Sequence, residues 1–266
     1  MITDGDIRSV NMNKEPLVTV ITVSFNAGKV IEKTILSVIS QTYLNIEYII
    51  IDGASTDATV DVIKKYEDKI NCWISEPDKG IYNAMNKGLR IARGEWVNFM
   101  NAGDMFANEH VISNVFSINK NLENMKVLYG DVIIETVKRT FVEKVKKVDN
   151  LSYCMVFCHQ STFVSLNNKK EVYFDEEYKI AADFALFNKL FLKYGVSSFF
   201  YLPFPISIYD ADGISSNALL LLSKELLLIR SFRKDIRWYA DYLKYFLKKI
   251  VYNNKYGLAF VKWLRN

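Results

Sequence analysis

Apolar positions in the first part of the chain follow two rhythms. Leu17 to Val23 is a short run rich in β-branched residues and reads as a buried strand, with Ser24-Phe25-Asn26-Ala27-Gly28 as the loop after it. Val30, Ile31, Ile35, Val38 and Ile39 then recur at helical spacing. Ile46 to Ile51 reads as a second buried strand closed by Asp52-Gly53, and Ser55, Thr56 and Asp57 offer an N-cap for a helix running to about Tyr66. Ile70 to Ser75 is a third strand, followed by a Glu76-Pro77-Asp78-Lys79-Gly80 loop. Ile81 to Ala92 is a helix for which Gly94 is the expected C-cap. Glu95 to Met100 is a fourth strand that ends at Asn101-Ala102-Gly103-Asp104. Shorter strands and helices follow to about residue 215, and the pattern beyond is helical.

Strands alternating with helices predict a parallel α/β sheet, and such sheets bind ligands beyond the carboxyl ends of their strands. Asp52, Asp78 and Asp104 each follow a predicted strand, so three carboxylates are expected at one edge. The phosphate loops common in such folds are missing. No G-x-G-x-x-G follows the first strand. Gly28-Lys29 has the tail of a P-loop, but Val23 stands where its first glycine belongs and Val30 where Ser or Thr belongs. A diphosphate would therefore have to be met by a metal, a lysine or scattered amides.

Composition narrows the class further. With 50% hydrophobic and 24% charged residues, the chain can bury a core and is not of the disordered type. Its three cysteines, Cys72, Cys154 and Cys158, are too few for a disulfide framework and are expected as thiols in a reducing compartment. Cys154 and Cys158 precede His159, yet no fourth zinc ligand is evident. No secretory signal and no bilayer-length apolar segment stand out, so a cytoplasmic location is expected.

Val20 to Asn26, Ser37 to Thr42 and Ile50 to Asp57 together resemble the inverting family 2 glycosyltransferases of the GT-A fold. Asp78 to Gly88 and Phe99 to Asp104 resemble a subgroup of that family linked to bacterial exopolysaccharide and O-antigen assembly, of the colanic-acid type. The resemblance is strong over residues 16–104, weaker to about 215 and absent beyond. It implies a Rossmann-like catalytic domain at residues 1–215, with a nucleotide-sugar-binding half at 16–104 and an acceptor half at 105–215, and a helical extension at 216–266. The implied activity is transfer of a sugar from a nucleotide-diphosphate sugar, UDP-linked in preference to GDP-linked, to a glycan or lipid-linked acceptor.

The resemblance also assigns roles. Ser24, Asn26, Asp52, Asp78 and Lys79 fall on the donor side. Asp52 matches the aspartate that accepts a hydrogen bond from a ring N–H of the base, with Gly53 allowing close approach. Asp104 matches the last acidic residue of the metal motif that holds Mg²⁺ or Mn²⁺ against the donor. Family members more often carry Asp where Asn101 and Gly103 stand, so the motif is degenerate here. Asp183 matches the catalytic base. His159 and Gln160 match a pair facing the acceptor or the diphosphate, and Asp210, Asp212 and Gly213 form a loop able to close over the donor. Each aspartate has a blander alternative as a turn or helix-capping residue, and His159 as a structural histidine.

Net charge is distributed unevenly. Arg230 to Asn266 holds ten Lys/Arg and two Asp, a balance of +8 against +4 for the whole chain, so residues 1–229 sum to −4. Aromatic residues interleave with these cations, a composition suited to an anionic membrane surface or to packing on the catalytic domain or a second subunit. Nucleic acid is not expected, because no recognised module accompanies the charge. The rival from another class is a non-catalytic nucleotide-sugar-binding scaffold of a glycan assembly complex, which the degenerate Asn101 and Gly103 keep open.

Overall fold

A computed structural model describes residues 15–118, 122–136, 139–210, 219–230 and 236–253. Strands β1 (Val18–Ser24), β2 (Ile46–Asp52), β3 (Cys72–Ser75) and β4 (Trp96–Phe99) alternate with helices α1 (Ile31–Ile39), α2 (Thr59–Lys65) and α3 (Ile81–Ile91). After the short β5 (Met105–Phe106) come α4 (Val111–Ile118), the hairpin β6 (Val127–Glu135) and β7 (Thr140–Glu143), β8 (Thr162–Ser165), α5 (Ala182–Tyr194) and β9 (Phe199–Asp210). Helices α6 (Leu219–Ile229) and α7 (Ile236–Asn253) follow. The sheet runs β3-β2-β1-β4-β8-β6-β9-β5, with β7 paired to β6. Its first four strands are parallel, as predicted, and β8 enters antiparallel to β4.

The sheet is apolar on both faces, which is why β1 and β2 read as continuous apolar runs and not as alternating ones. Val18 and Val20, with Tyr48 and Ile50, face α1, α2 and α4 through Ile35, Ile63 and Val115. Their alternate neighbours Ile21, Val23, Ile49 and Ile51 face α3 and α5 through Met85, Leu89, Phe184 and Phe187. Helix α6 joins this second core through Leu222, Leu226 and Ile229.

Two local expectations are corrected. The second helix begins at Thr59, beyond Ser55, Thr56 and Asp57. Asp57 is still drawn to its start, accepting from the Thr59 amide at 3.0 Å and from the Thr59 hydroxyl, but Ser55 turns to Asp52 instead. Gly94 is not the cap of α3, whose C-cap is Ala92 with extended backbone. Gly94 is required for a different reason: a Cβ there would stand 2.5 Å from Thr19 Oγ1 and 2.7 Å from Thr19 N. The chain passes directly over β1 at that point.

Candidate active site

A cavity of about 500 Å³ opens where β4 ends. The loop after β4 is fixed by its own sequence. Gly103 takes φ +105, a region costly for residues with a Cβ. Its amide donates to Thr34 Oγ1 at 2.9 Å, and the same hydroxyl donates to the Asp104 carbonyl at 2.8 Å. The loop thus delivers Asp104, only 5% exposed, to the cavity wall.

The segment before β8 supplies the facing wall. Asn98 Nδ2 donates to the carbonyls of Gln160 and Thr162, riveting this segment to β4. Gln160 Nε2 donates to Asp104 Oδ2 at 2.6 Å, and the Cys158 thiol donates to Gln160 Oε1 at 2.7 Å. Burial, with the Asp104 charge behind it, pushes the Cys158 thiol up, so it stays protonated and can donate.

The first turn of α5 brings in Asp183. Its Oδ2 lies 3.3 Å from His159 Nδ1, and His159 Nε2 lies 3.2 Å from Asn101 Nδ2. In the tautomer that accepts from the Asn101 amide at Nε2, the His159 Nδ1–H points at Asp183. Asp183 Oδ1 accepts from the Phe184 amide at 2.8 Å and faces Tyr82 Oη at 3.4 Å. The Tyr82 hydroxyl also donates to the Ile180 carbonyl at 2.6 Å. Burial, and next the Asp183 charge, push its phenol up and keep it a donor.

Asp104, His159, Gln160 and Asp183 therefore line one cavity. The other candidates stand elsewhere. Asp52 is fully buried. Its Oδ1 accepts from Ser24 Oγ at 2.9 Å and Ser55 Oγ at 2.5 Å, and its Oδ2 from Ser55 N at 2.9 Å and Ser75 Oγ at 2.7 Å. Four donors fill a carboxylate's four acceptor positions. Burial opposes the charge on Asp52, but these hydrogen bonds outweigh it and its pKa is lowered. As placed, Asp52 has no lone pair left for a base, and Ser24 is committed to it. Asn26 is likewise engaged: its Oδ1 accepts from the Thr56 amide, and its own amide donates to Ser55 Oγ. With Ala27 N on Thr59 Oγ1 and Gly28 N on Asp57 Oδ2, the backbone amides of Asn26, Ala27 and Gly28 are already used.

At the ends of β1, β2 and β3, Phe25, Gly53 and Asp78 come together. A Cβ on Gly53 would meet Asp78 Oδ2 at 2.5 Å and the Phe25 ring at 3.3 Å. Phe25 is 65% exposed, unusual for a large aromatic at the end of a fully buried strand. Asp78 is half-buried and accepts from the Gly80 amide at 2.8 Å. Lys79 is exposed in the same loop. Of the expected donor-closing loop, Asp210 ends β9 and 211–218 lie outside the described residues.

Sequence reading missed Phe25, Tyr82 and Glu225. Phe25 carried a signal, an aromatic inside a polar loop. Glu225 carried another, a lone acid in the leucine-rich α6.

Among the described residues no group of three His, Cys, Asp or Glu side chains could hold a metal ion. Beside the Asp183 carboxylate across the cavity, the loop after β4 offers the Asp104 carboxylate and the Asn101 Oδ1 atom, which is buried without a hydrogen-bond partner. Both are hard oxygen donors. They fit Mg²⁺ or Mn²⁺ completed by phosphates and waters, and do not fit a protein-only cage.

The comparisons with known proteins define the class. Residues 19–162 match the family described as Glycosyl transferase family 2, more than half of the chain, and the chain belongs to that family. In particular, the putative teichuronic acid biosynthesis glycosyltransferase TuaG of Bacillus subtilis is 41% identical over 95 residues, 35% of this chain and 38% of that protein. The fold is similar to S. aureus TarS in complex with UDP-GlcNAc (TM-score 0.63, 18% identity, 80% of this chain and 66% of that one). It is equally similar to the mannosyltransferase PcManGT of Pyrobaculum calidifontis in complex with GDP-Man and Mn²⁺ (TM-score 0.63, 17% identity, 84% and 66%). The matches span about half the length of the curated relatives.

Proposed function

We propose that the chain transfers a hexosyl or N-acetylhexosaminyl group from a nucleotide-diphosphate sugar to a glycan or lipid-linked acceptor of a bacterial surface polysaccharide, with inversion at the anomeric carbon. The observation that carries this reading is the meeting of Asp183 and Asp104 on one cavity, with Phe25 and Asp78 gathered around Gly53 at the neighbouring strand ends. The family, the nucleotide sugars bound by TarS and PcManGT, and the putative teichuronic acid biosynthesis role of TuaG support it.

In this reading the base stacks on Phe25 and lies against Gly53, and Asp78 accepts from its ring N–H. That role passes from Asp52 to Asp78, because Asp52 is spent on holding the loops together. A ring N–H of uracil or of guanine could meet that carboxylate, and a UDP-sugar is the proposed donor. Lys79 offsets diphosphate charge from the exposed rim. Asp104 and Asn101 Oδ1 would hold a Mg²⁺ or Mn²⁺ ion, whose chemistry is to neutralise the leaving diphosphate.

The acceptor hydroxyl oxygen attacks the anomeric carbon on the face opposite the diphosphate. As that C–O bond forms, the bond to the diphosphate oxygen breaks and the hydroxyl proton passes to Asp183. His159 and Tyr82 hold the Asp183 carboxylate in place through one oxygen each. Among the described residues no helix is long and apolar enough to cross a membrane. The proposed location is the cytoplasmic face of the cell membrane, reached through α7 and the basic residues around it.

The test is nucleotide release across a panel of UDP- and GDP-sugars, with Mn²⁺ or EDTA, for the wild type and Asp104→Ala. Metal-dependent release from one donor, lost in the variant, supports the transferase. Tight donor binding without release, even with lipid-linked acceptors present, favours the scaffold, and no binding of any nucleotide sugar overturns both.

A further inference from the structure

Helix α5 carries Asp183 in its first turn but has no side-chain cap of its own, since its N-cap residue is Ala181. The amides leading into it, buried or half-buried, need acceptors from elsewhere. The partner comes from another element. Glu225, in the middle of α6 and 4% exposed, accepts from Lys179 N at 2.7 Å with Oε1, and from Ile180 N at 3.0 Å and Ala181 N at 2.9 Å with Oε2. Among the described residues no ion pair reaches this carboxylate. Three backbone amides and the positive end of α5 compensate its burial.

The tethered segment belongs to the cavity. Lys179 and Ile180 line it, and the Ile180 carbonyl is the acceptor for Tyr82, which faces Asp183. Tyr82 is on α3, so the segment lies between two clamps, Glu225 on its amides and Tyr82 on a carbonyl. Helix α6 is in turn held by α7, through Arg230 Nη1 to Asp241 Oδ2 at 2.9 Å and Trp238 Nε1 to the Leu227 carbonyl at 3.1 Å.

We propose that Glu225 is a positioning residue for the reaction: it tethers the three amides that lead into α5, and so sets where Asp183 stands. This rests on the transferase reading for its kinetic half and not for its structural half. The helical region after the catalytic core then completes the site and is not merely an appendage.

The experiment uses the full chain with Glu225→Ala, Glu225→Gln and, as a packing control, Leu226→Ala. Amide hydrogen exchange across 179–181 reads the tether directly. It should quicken at least tenfold in Glu225→Ala, less in Glu225→Gln, which keeps one acceptor oxygen, and stay within about twofold in Leu226→Ala. With the donor found for the wild type, kcat should fall at least tenfold in Glu225→Ala with donor KM within about threefold, partly rescued in Glu225→Gln. Unchanged exchange in Glu225→Ala overturns the tether. Quickened exchange with unchanged kcat, or an equal kcat loss in Leu226→Ala, overturns the positioning role. A wild type that releases nucleotide from no donor overturns the transferase reading and the kinetic half with it, while exchange alone still decides the tether.

Discussion

Gln160 Nε2 donates to Asp104 Oδ2 at 2.6 Å, with both side chains nearly buried. The contact joins the loop after β4 to the turn before β8, segments that are 56 positions apart. A buried carboxylate needs such a donor. Gln160 is itself held from behind by the Cys158 thiol and by Asn98 on its carbonyl. Asp104 therefore has its orientation set before any ligand arrives. Gln160→Ala should lower nucleotide release about tenfold and raise the Mn²⁺ concentration for half-maximal activity. It should also cost about 1–3 kcal/mol of stability, the usual penalty for a buried acceptor left without its donor. A metal titration of activity beside a urea titration would separate the two effects.

Asp183→Asn should remove the proton acceptor without removing volume. Turnover is expected to fall by about 10²–10⁴, the range for a general base, while nucleotide affinity stays within about twofold. His159 contacts Asp183 through one oxygen only, so His159→Ala should cost less, about tenfold. Steady-state kinetics with calorimetric nucleotide binding would check both. Equal losses in the two variants would mean that histidine and aspartate act as one unit.

The sheet was legible because β1 and β2 are buried on both faces, so that β-branched apolar residues outweigh Thr19, Thr22 and Glu47 in both runs. The cavity quartet was legible through motif resemblance. What the sequence could not convey was which polar groups spend themselves on one another. Ser24 and Asn26 read as donor-side residues and Ser55 and Asp57 as helix caps, yet they bind Asp52, Thr56, Thr59 and Gly28 and clasp two loops together. Gly94 follows a helix as a C-cap would, but its need for no Cβ comes from Thr19, 75 positions away. Glu225 on α6 meets α5 only through tertiary packing. These are pairings between distant segments, and one-dimensional periodicity does not report them.

Asp52 should act as a stability element. Its pKa is lowered in the folded state, so its contribution is fully present above the ordinary aspartate value of about 3.9 and is lost as pH falls through the lower folded value. Asp52→Asn places an amide nitrogen among serine hydroxyls and should cost about 1–3 kcal/mol at neutral pH. The deficit should shrink as pH drops below about 4. Urea unfolding from pH 3 to 7 would show the two curves converging on the acid side. Parallel curves would mean that the serine ring does not depend on the charge.

Phe25 should matter to the nucleotide and little to the fold, since its ring is already mostly in water. Stacking of a base on an aromatic ring is worth about 1–3 kcal/mol, so Phe25→Ala should weaken nucleotide binding by about tenfold or more. Asp78→Asn should weaken it as well and alter the preference between UDP and GDP. Thermal melts without ligand should be nearly unchanged for Phe25→Ala. Calorimetry with free UDP and GDP is sufficient, because neither effect requires turnover.

Helix α7 presents Tyr239, Tyr242, Leu243 and Phe246 to solvent, each about half exposed, at the i, i+3, i+4, i+7 spacing of a single stripe. Its sequence also carries Arg237, Lys244, Lys248 and Lys249. A lipid surface would use both features. The cations are worth about 1 kcal/mol each near anionic headgroups, and the stripe adds a salt-insensitive apolar part. The full chain should therefore sediment with phosphatidylglycerol vesicles and not with phosphatidylcholine vesicles. Binding should weaken in high salt and fall sharply in a Leu243→Glu, Phe246→Glu double variant. The same variant should retain nucleotide binding, because neither side chain lines the cavity. Wild-type binding that is absent on anionic vesicles, together with a dimer that the double variant dissociates, would assign the stripe to a second copy of the chain instead.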